Sequence, residues 1–312
     1  MKRSTSTRQH RHINARMLAE TGLLLGLFAG ICLAGHHTQQ PIVLLVGAVL
    51  QGLWLQRLYC VGHEAAHNKL FPEHPRANDL FGQLALWALP VPLPIFKAIH
   101  RFHHADNRRD ARTSALDVYL ISARWPRLGR LRASLLWYIG VLAGGWFFHG
   151  LISVLLFLFL PIRVARRISP AFSRWRPRDQ IASILLFVAP VLVQIAVATQ
   201  VSSDLWLALF GWPLLVFALV YSAQLYVYHY RTTMGPQTLL HARRLHGGPL
   251  LGWWLLNLNE HDTHHRKTKV VWYDLPAAGQ PLPAAFAANQ NVDHFLAGLL
   301  LQLRGPTLVE KP

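Results

Sequence analysis

Charge is scarce in this sequence. Only 14% of its 312 residues are charged, against roughly 25% in soluble domains, too little to coat a globule in water. Cations are missing altogether from two long windows, with no Lys or Arg in 17–56 or in 179–230. In a chain that is 52% hydrophobic, such windows mark a polytopic membrane protein. Cysteine is equally sparse. The only two, Cys32 and Cys60, lie in one apolar run and at the end of the next, which excludes a disulfide framework and reads as two small buried hydrophobes. No C-x-x-C pair and no G-x-G-x-x-G after a strand is present, so no fused redox module is expected. Internal repeats and low-complexity stretches are also lacking.

Acidic residues are few as well. Against 31 Lys and Arg stand 14 Asp and Glu, a net charge of +17 and a pI near 10.9. That balance would ordinarily suggest nucleic acid, but the basic residues sit between apolar runs, where the positive-inside rule puts them. Anionic lipid headgroups and an acidic protein are therefore the expected counter-charges, and no nucleic acid is expected. The basic stretch 1–16 ahead of the first apolar run reads as the start of an uncleaved anchor.

Four apolar runs approach the ~20 residues needed to span a bilayer: 19–35, 41–59, 181–199 and 205–228. They pair as two hairpins, because the linkers 35–40 and 200–204 have no Lys or Arg and should face away from the cytoplasm. Arg3, Arg8, Arg11 and Arg16 hold the inner end of the first hairpin. The run 80–99 contains Pro90, Pro92 and Pro94, which deny it a straight helix. The run 134–162 is long enough to cross, yet Arg124, Arg127, Arg130 and Arg132 precede it and Arg163, Arg166 and Arg167 follow it. It is expected to return to its own side, with a bend near Gly144-Gly145 and His149. The expected fold is an all-α membrane protein with four transmembrane helices in two hairpins, re-entrant or interfacial helices, and a cytoplasmic cap.

What the chain has in excess is histidine in three short words. They read His63-Glu64-Ala65-Ala66-His67, His100-Arg101-Phe102-His103-His104 and His261-Asp262-Thr263-His264-His265, and hold eight of the 18 histidines. Spacings of four, and of three and four, put each set on one face of a helix. Imidazole ligates iron, zinc or copper, and eight imidazoles exceed what one four-coordinate ion can use. A two-metal site at the membrane surface is the economical reading, with the distant words meeting in space. His149, an ionisable group within an apolar run, is a functional suspect, although a helix-packing hydrogen bond explains it equally. His241 and His246 are left out of the ligand set.

The order H-x-x-x-H, H-x-x-H-H, H-x-x-H-H resembles the membrane fatty acid desaturase superfamily, which also includes hydroxylases and ketolases. The most specific region is Asn257-Leu258-Asn259-Glu260-His261-Asp262-Thr263-His264-His265 followed by Trp272-Tyr273-Asp274-Leu275-Pro276, and Asn68, Asn78-Asp79 and Gly82 behind the first word also look familial. The resemblance implies a di-iron centre held by His63, His67, His100, His103, His104, His261, His264 and His265, with His229 as a ninth ligand where family members often carry a further histidine. It implies O₂ as co-substrate, an external electron donor, and attack on an unactivated C–H bond of a lipid or acyl chain, most simply desaturation. No catalytic side chain is assigned beyond the ligands. Two departures, Ala105-Asp106-Asn107-Arg108-Arg109-Asp110-Ala111-Arg112 and Arg266-Lys267-Thr268-Lys269, leave substrate and outcome open. The chain then divides into a basic cytoplasmic tail, 1–16, a membrane desaturase-like domain, 17–276, and a cytoplasmic C-terminal tail, 277–312.

A saturated chain has no acid or base handle, so the protein's tasks are to hold metal and to fix one carbon at a set distance from it. Loss of hydrogen from two adjacent carbons gives an alkene, and oxygen returned to the first gives an alcohol. Two other classes fit parts of the pattern. His63-Glu64-Ala65-Ala66-His67 is also the zinc-protease word, with Glu64 as base, but it leaves two words unexplained. A metal transporter would favour ligands inside the spans. Electrons should come from an acidic donor of ferredoxin, rubredoxin or cytochrome b5 type, steered to Arg101, Arg108, Arg109, Arg112, Arg266, Lys267 and Lys269.

Overall fold

The computed structural model describes residues 7–110 and 120–309, so Arg3 and Arg112 fall outside it. Helix accounts for 73% of the described residues. Among the described residues the strands are β1 (Leu120–Ser122) and β2 (Thr307–Val309), paired in parallel. Two compact units are present, one formed by residues up to 94 with 181–217, the other by 95–180 with the residues from 218 onward.

The first unit is built on α1 (Thr7–His37) and α2 (Pro41–Ala66). Gln39, at φ +53°, turns the chain between them, and Pro41 opens α2 where its missing N–H costs nothing. Polar side chains between apolar helices act as glue where no water competes. Cys32 Sγ donates to Gln51 Oε1 at 3.2 Å, Gln51 Nε2 donates to the Leu209 carbonyl at 2.8 Å, and Trp54 Nε1 donates to the Thr21 carbonyl at 2.8 Å. Arg57, 1% exposed, donates to Glu20 Oε1 and Thr21 Oγ1 at 3.0 Å each. Gly52 permits close helix approach, for a Cβ there would lie 2.7 Å from the Pro213 carbonyl and 2.5 Å from Val216 Cβ. Both cysteines are free and buried.

The chain after α2 is fastened rather than loose. His10 Nε2 and Asn14 Nδ2 donate to the Lys69 carbonyl at 2.8 and 3.1 Å. Asn78, on α3 (Pro75–Leu86), accepts from Leu70 N at 3.1 Å and donates to the Ala65 carbonyl at 2.9 Å. A break follows at 87–92, as the prolines require, and α4 (Leu93–Asp106) begins beyond it. Gln83 spans the break, accepting from Leu93 N at 2.8 Å.

Among the described residues, five helices are long and apolar enough to cross a membrane: Arg8–His37, Pro41–Ala66, Arg127–Phe159, Pro177–Val201 and Ser203–Leu225. Four were expected. The added one holds the run read as bent, which is instead continuous through α5 (Arg127–Ile139), a π-helical stretch Gly140–Leu151, and α6 (Ile152–Phe159). The glycine pair does not break the helix; it widens it. Gly145 lies against Ser222, where an added Cβ would sit 3.1 Å from Ser222 Cα. Ser222 Oγ accepts from the Trp146 N–H at 3.1 Å and donates to the Ala218 carbonyl at 2.5 Å, so the hydroxyl supports the wider turn.

The later helices are α7 (Ile162–Ile168), α8 (Pro177–Ala196), α9 (Ser203–Trp206), α10 (Trp212–Leu225), α11 (Gly248–Leu255), α12 (His261–Arg266), α13 (Leu275–Ala278) and α14 (Phe295–Leu301). The stretch 277–309, set apart above as a tail, packs into the second unit. Trp137 Nε1 donates to the Gln302 carbonyl at 2.9 Å, Tyr230 Oη donates to the Gly305 carbonyl at 2.5 Å, and Asn289 Nδ2 donates to the Leu240 carbonyl at 2.8 Å.

Candidate metal centre

Seven histidines converge within the second unit. His100, His103 and His104 lie on the last two turns of α4, and His261, His264 and His265 on one face of α12. His229 follows the end of α10 in a turn closed by its own N–H to the Tyr226 carbonyl at 3.1 Å. All but His103 are buried, and His264 and His265 are fully enclosed.

Local sequence explains how α12 is aimed. Leu256 and Asn257 adopt φ +50° and +54°, a left-handed end that asparagine tolerates. Asn257 N donates to the Gly252 carbonyl at 2.7 Å and its side chain to the Trp272 carbonyl at 3.1 Å. A Cβ on Gly252 would meet Asn257 Oδ1 at 2.4 Å, so the glycine makes room for the turn. Asn259 and Leu245 exchange two hydrogen bonds, at 3.0 and 3.1 Å. Asp262, 1% exposed in the first turn of α12, pairs with Arg266 of the same helix at 2.7 Å and ties the helix to Arg244 at 3.3 Å, and a carboxylate there also suits the helix N-terminus.

Four ring nitrogens form one group. His229 Nε2 lies 3.0 Å from His261 Nε2, which lies 3.1 Å from His265 Nε2, which lies 3.1 Å from His103 Nε2. A second set adjoins it: His104 Nε2 lies 3.1 Å from His100 Nε2 and 2.9 Å from His264 Nε2. The His104 and His265 rings stack at 4.3 Å, so the two sets are neighbours.

Hydrogen bonding alone does not account for this. Each Nε2 is either a donor or a lone pair, and the single proton of His261 Nε2 cannot point at two neighbours. A central cation accepts a lone pair from each. Two nitrogens held at about 2.1 Å from one ion and 90° apart are about 3.0 Å from each other, which is the spacing found. The residues therefore fit a metal.

The outer sides of the rings support the same assignment. His229 Nδ1–H donates to the His241 carbonyl at 2.9 Å, leaving its Nε2 lone pair aimed at the group. The Asn107 side-chain amide lies 2.7 Å from the same Nδ1, where only its oxygen can accept from that N–H. His241 Nε2–H donates to the Gly235 carbonyl at 3.1 Å, and its Nδ1 accepts from Thr233 Oγ1 at 2.9 Å. Burial holds His229 well below the ordinary histidine value, and the neighbouring His103 and His261 push the same way. His265 is lowered likewise, by burial first and then by His104, His261, His103 and His229. Neutral rings keep their lone pairs for a metal.

Reading the sequence set His241 aside and missed Asn107. His241 belongs to no histidine word, and only its position twelve residues after His229 hints at it. In the first unit, His63 lies in the last turn of α2 and His67 caps it, their rings 5.0 Å apart. Glu64, the base of the protease alternative, is 2% exposed and 3.4 Å from His63 Nδ1. His149 packs its ring 6.1 Å from that of Tyr226.

The basic residues near the ligands divide in two. Arg108 is buried and donates to the Thr232 and Thr233 carbonyls. Arg266 Nη2 donates to Asp262 and the Gln280 carbonyl, and Lys267 Nζ to the Ala278 carbonyl at 2.9 Å. These three hold the fold. Arg101, Arg109 and Lys269 are exposed, and Arg109 pairs with Asp106 at 2.6 Å.

Long apolar helices joined to a buried polyhistidine pocket define a membrane protein equipped to bind metal. Residues 40–296 match the fatty acid desaturase family, and the chain belongs to that family, which makes it an oxidoreductase. No curated protein matches it.

Proposed function

We propose that the protein is an O₂-dependent, di-iron lipid desaturase of multi-pass topology with its metal centre on the cytoplasmic side. The reading rests above all on the four converging Nε2 atoms of His103, His229, His261 and His265, which we assign to one iron. His100, His104 and His264 serve the other, and His63 and His67, from the first histidine word, complete its ligand set. Two irons bound there supply O₂ activation and removal of hydrogen from an unactivated C–H bond. The chain's own residues hold the imidazoles neutral and oriented: Asn107 and the His241 carbonyl fix His229, and Asp262 with Arg244 and Arg266 fixes α12. Electrons come from an acidic partner protein that meets Arg101, Arg109 and Lys269.

A contact inside the second unit supports this topology. The His103 and His229 rings are 4.9 Å apart, so an even number of crossings separates them. Three candidate spans lie between. We assign the crossings to Pro177–Val201 and Ser203–Leu225, and place Arg127–Phe159 along the interface, in keeping with its basic flanks. A cysteine introduced at Ser173 should be labelled from the cytoplasmic side, and labelling from outside would show that this helix crosses.

Metal analysis of purified protein tests the centre, with about two irons per chain expected from ligand number and type. Stoichiometric zinc in active protein would refute it. Mass spectrometry of lipids from an expressing host tests the reaction: a loss of two mass units in an acyl chain marks desaturation, a gain of sixteen marks hydroxylation.

A further inference from the structure

Within the second unit, a short 3₁₀ helix near the C-terminus, Ala284–Gln290, ends in two side chains that reach the supports of different metal ligands. Asn289 is 1% exposed. Its Oδ1 accepts from the Thr233 N–H at 2.7 Å, and its Nδ2 donates to Thr233 Oγ1 at 2.9 Å and to the Leu240 carbonyl at 2.8 Å. A backbone N–H only donates and a carbonyl only accepts, so these partners fix which way the amide points. The three bonds tie together the two ends of the loop 233–240. The next residue is His241, whose carbonyl accepts from His229 Nδ1 at 2.9 Å. From the same 3₁₀ helix, Phe286 sets its ring 5.8 Å from that of His241.

Gln290 serves the other segment. Its Oε1 accepts from the Arg244 N–H at 3.0 Å and its Nε2 donates to the Arg244 carbonyl at 2.6 Å, so one side chain holds that backbone from both sides. The Arg244 guanidinium then reaches Glu260 at 3.4 Å and Asp262 at 3.3 Å, the residues on either side of His261. The chain just beyond adds a third support. Phe295 N donates to the His246 carbonyl at 2.8 Å. Val292 and Phe295 pack on the apolar cluster that holds Tyr228, whose ring stacks on that of His261 at 4.5 Å.

His229 and His261 are 32 positions apart in the chain, yet their Nε2 atoms lie 3.0 Å from each other. No single helix sets that distance. A buried amide left without its partners costs free energy, so each arm is held in the one geometry that satisfies it. We propose that the 3₁₀ helix Ala284–Gln290 braces the metal centre, with Asn289 and Gln290 as positioning residues that set His229 against His261. The proposal rests on the metal-centre reading given above and extends it to a segment that carries no ligand.

The test is Co²⁺ binding to the purified full chain in nanodiscs, because this ion reports its own coordination in visible absorption. Affinity is read by chelator competition, and folding by circular dichroism and the thermal midpoint of metal-free protein. Asn289→Ala and Gln290→Ala should each weaken Co²⁺ binding about tenfold, the low end of the loss when a ligand's own hydrogen-bond partner is removed, and should shift the absorption bands. A purely structural role would lower the thermal midpoint and leave affinity and bands of the folded protein unchanged. That result in either arm overturns the brace, which needs both. Gln290 is half-buried and Thr233 exposed, so Gln290→Ala and Thr233→Val decide the matter if Asn289→Ala does not fold. Thr233→Val removes the hydroxyl between Asn289 and His241 and should weaken binding several-fold. Metal in the parent separates the two readings. A parent that holds neither iron nor Co²⁺ removes the metal centre and the brace with it, whereas normal metal in the parent with unchanged variants removes only the brace.

Discussion

The two units are held together by different means. In the first, apolar helices meet closely over Gly52, and a few isolated polar bonds, such as Gln51 to the Leu209 carbonyl, fix the register. In the second, polar groups form a connected web: Asn107, His241 and Thr233 around His229, and Arg244, Asp262 and Arg266 around α12. Close apolar packing tolerates a change by shifting a little, whereas a buried polar web fails as a unit when one member is left unpaired. The first unit should therefore respond to mutation in stability, and the second in metal content.

The largest expected effect tests that contrast directly. His265→Ala or His261→Ala should reduce iron occupancy and turnover by more than about a hundredfold, beyond the 10–100-fold typical when only a ligand's hydrogen-bond partner is lost. Helical content by circular dichroism should stay unchanged. Normal iron in either variant would remove the four-histidine group from the centre.

A step outward from the ligands, Asn107→Ala and His241→Phe should weaken iron binding about 10–100-fold, read by chelator competition. Variants that hold iron as tightly as the parent would show that these residues only pack against the site.

The opposite pattern is expected from the first unit. Gly52→Ala should destabilise by about 1–3 kcal/mol through overpacking, lowering the thermal midpoint while iron per folded chain stays constant. A loss of iron without a loss of stability would erase the distinction between the units.

Acidity gives a further contrast in metal-free protein. His229 and His265 have folded pKa values well below 6.5, so below pH 6.5 the unfolded chain takes up protons that the folded chain refuses. Stability from these groups is present above 6.5 and is lost as pH falls through their folded values. The unfolding midpoint should drop as pH is lowered from 7 to 5, and His229→Gln should flatten that dependence.

The smallest effect concerns the surface. Arg101, Arg109 and Lys269 changed together to Glu should raise the donor concentration for half-maximal rate a few-fold, with a weaker salt dependence, since exposed charges act mainly on encounter. Unchanged donor kinetics at low salt would place docking elsewhere. Arg266 and Lys267 are poor choices for that experiment, because both are bonded to the chain around α12.

Sequence by itself determined the membrane setting, the four apolar runs and the three histidine words. Each is a one-dimensional signal: hydropathy is summed along a helix, and ligand spacing of three and four follows from 3.6 residues per turn. It also pointed to His229, through its place after an apolar run. Only tertiary structure could decide the rest. The run 134–162 reads as bent because glycine pairs and basic flanks suggest it, yet Ser222, far along the chain, supports a widened helix that continues through them. The C-terminal stretch has short turns and no long period, so nothing in it announced that Gln302 and Asn289 are buried in the second unit. Asn107 meets His229 across 122 positions, and His241 supports it only because the chain turns back on itself after α10. Local spacing records which residues share a helix face, but only folding determines which faces meet.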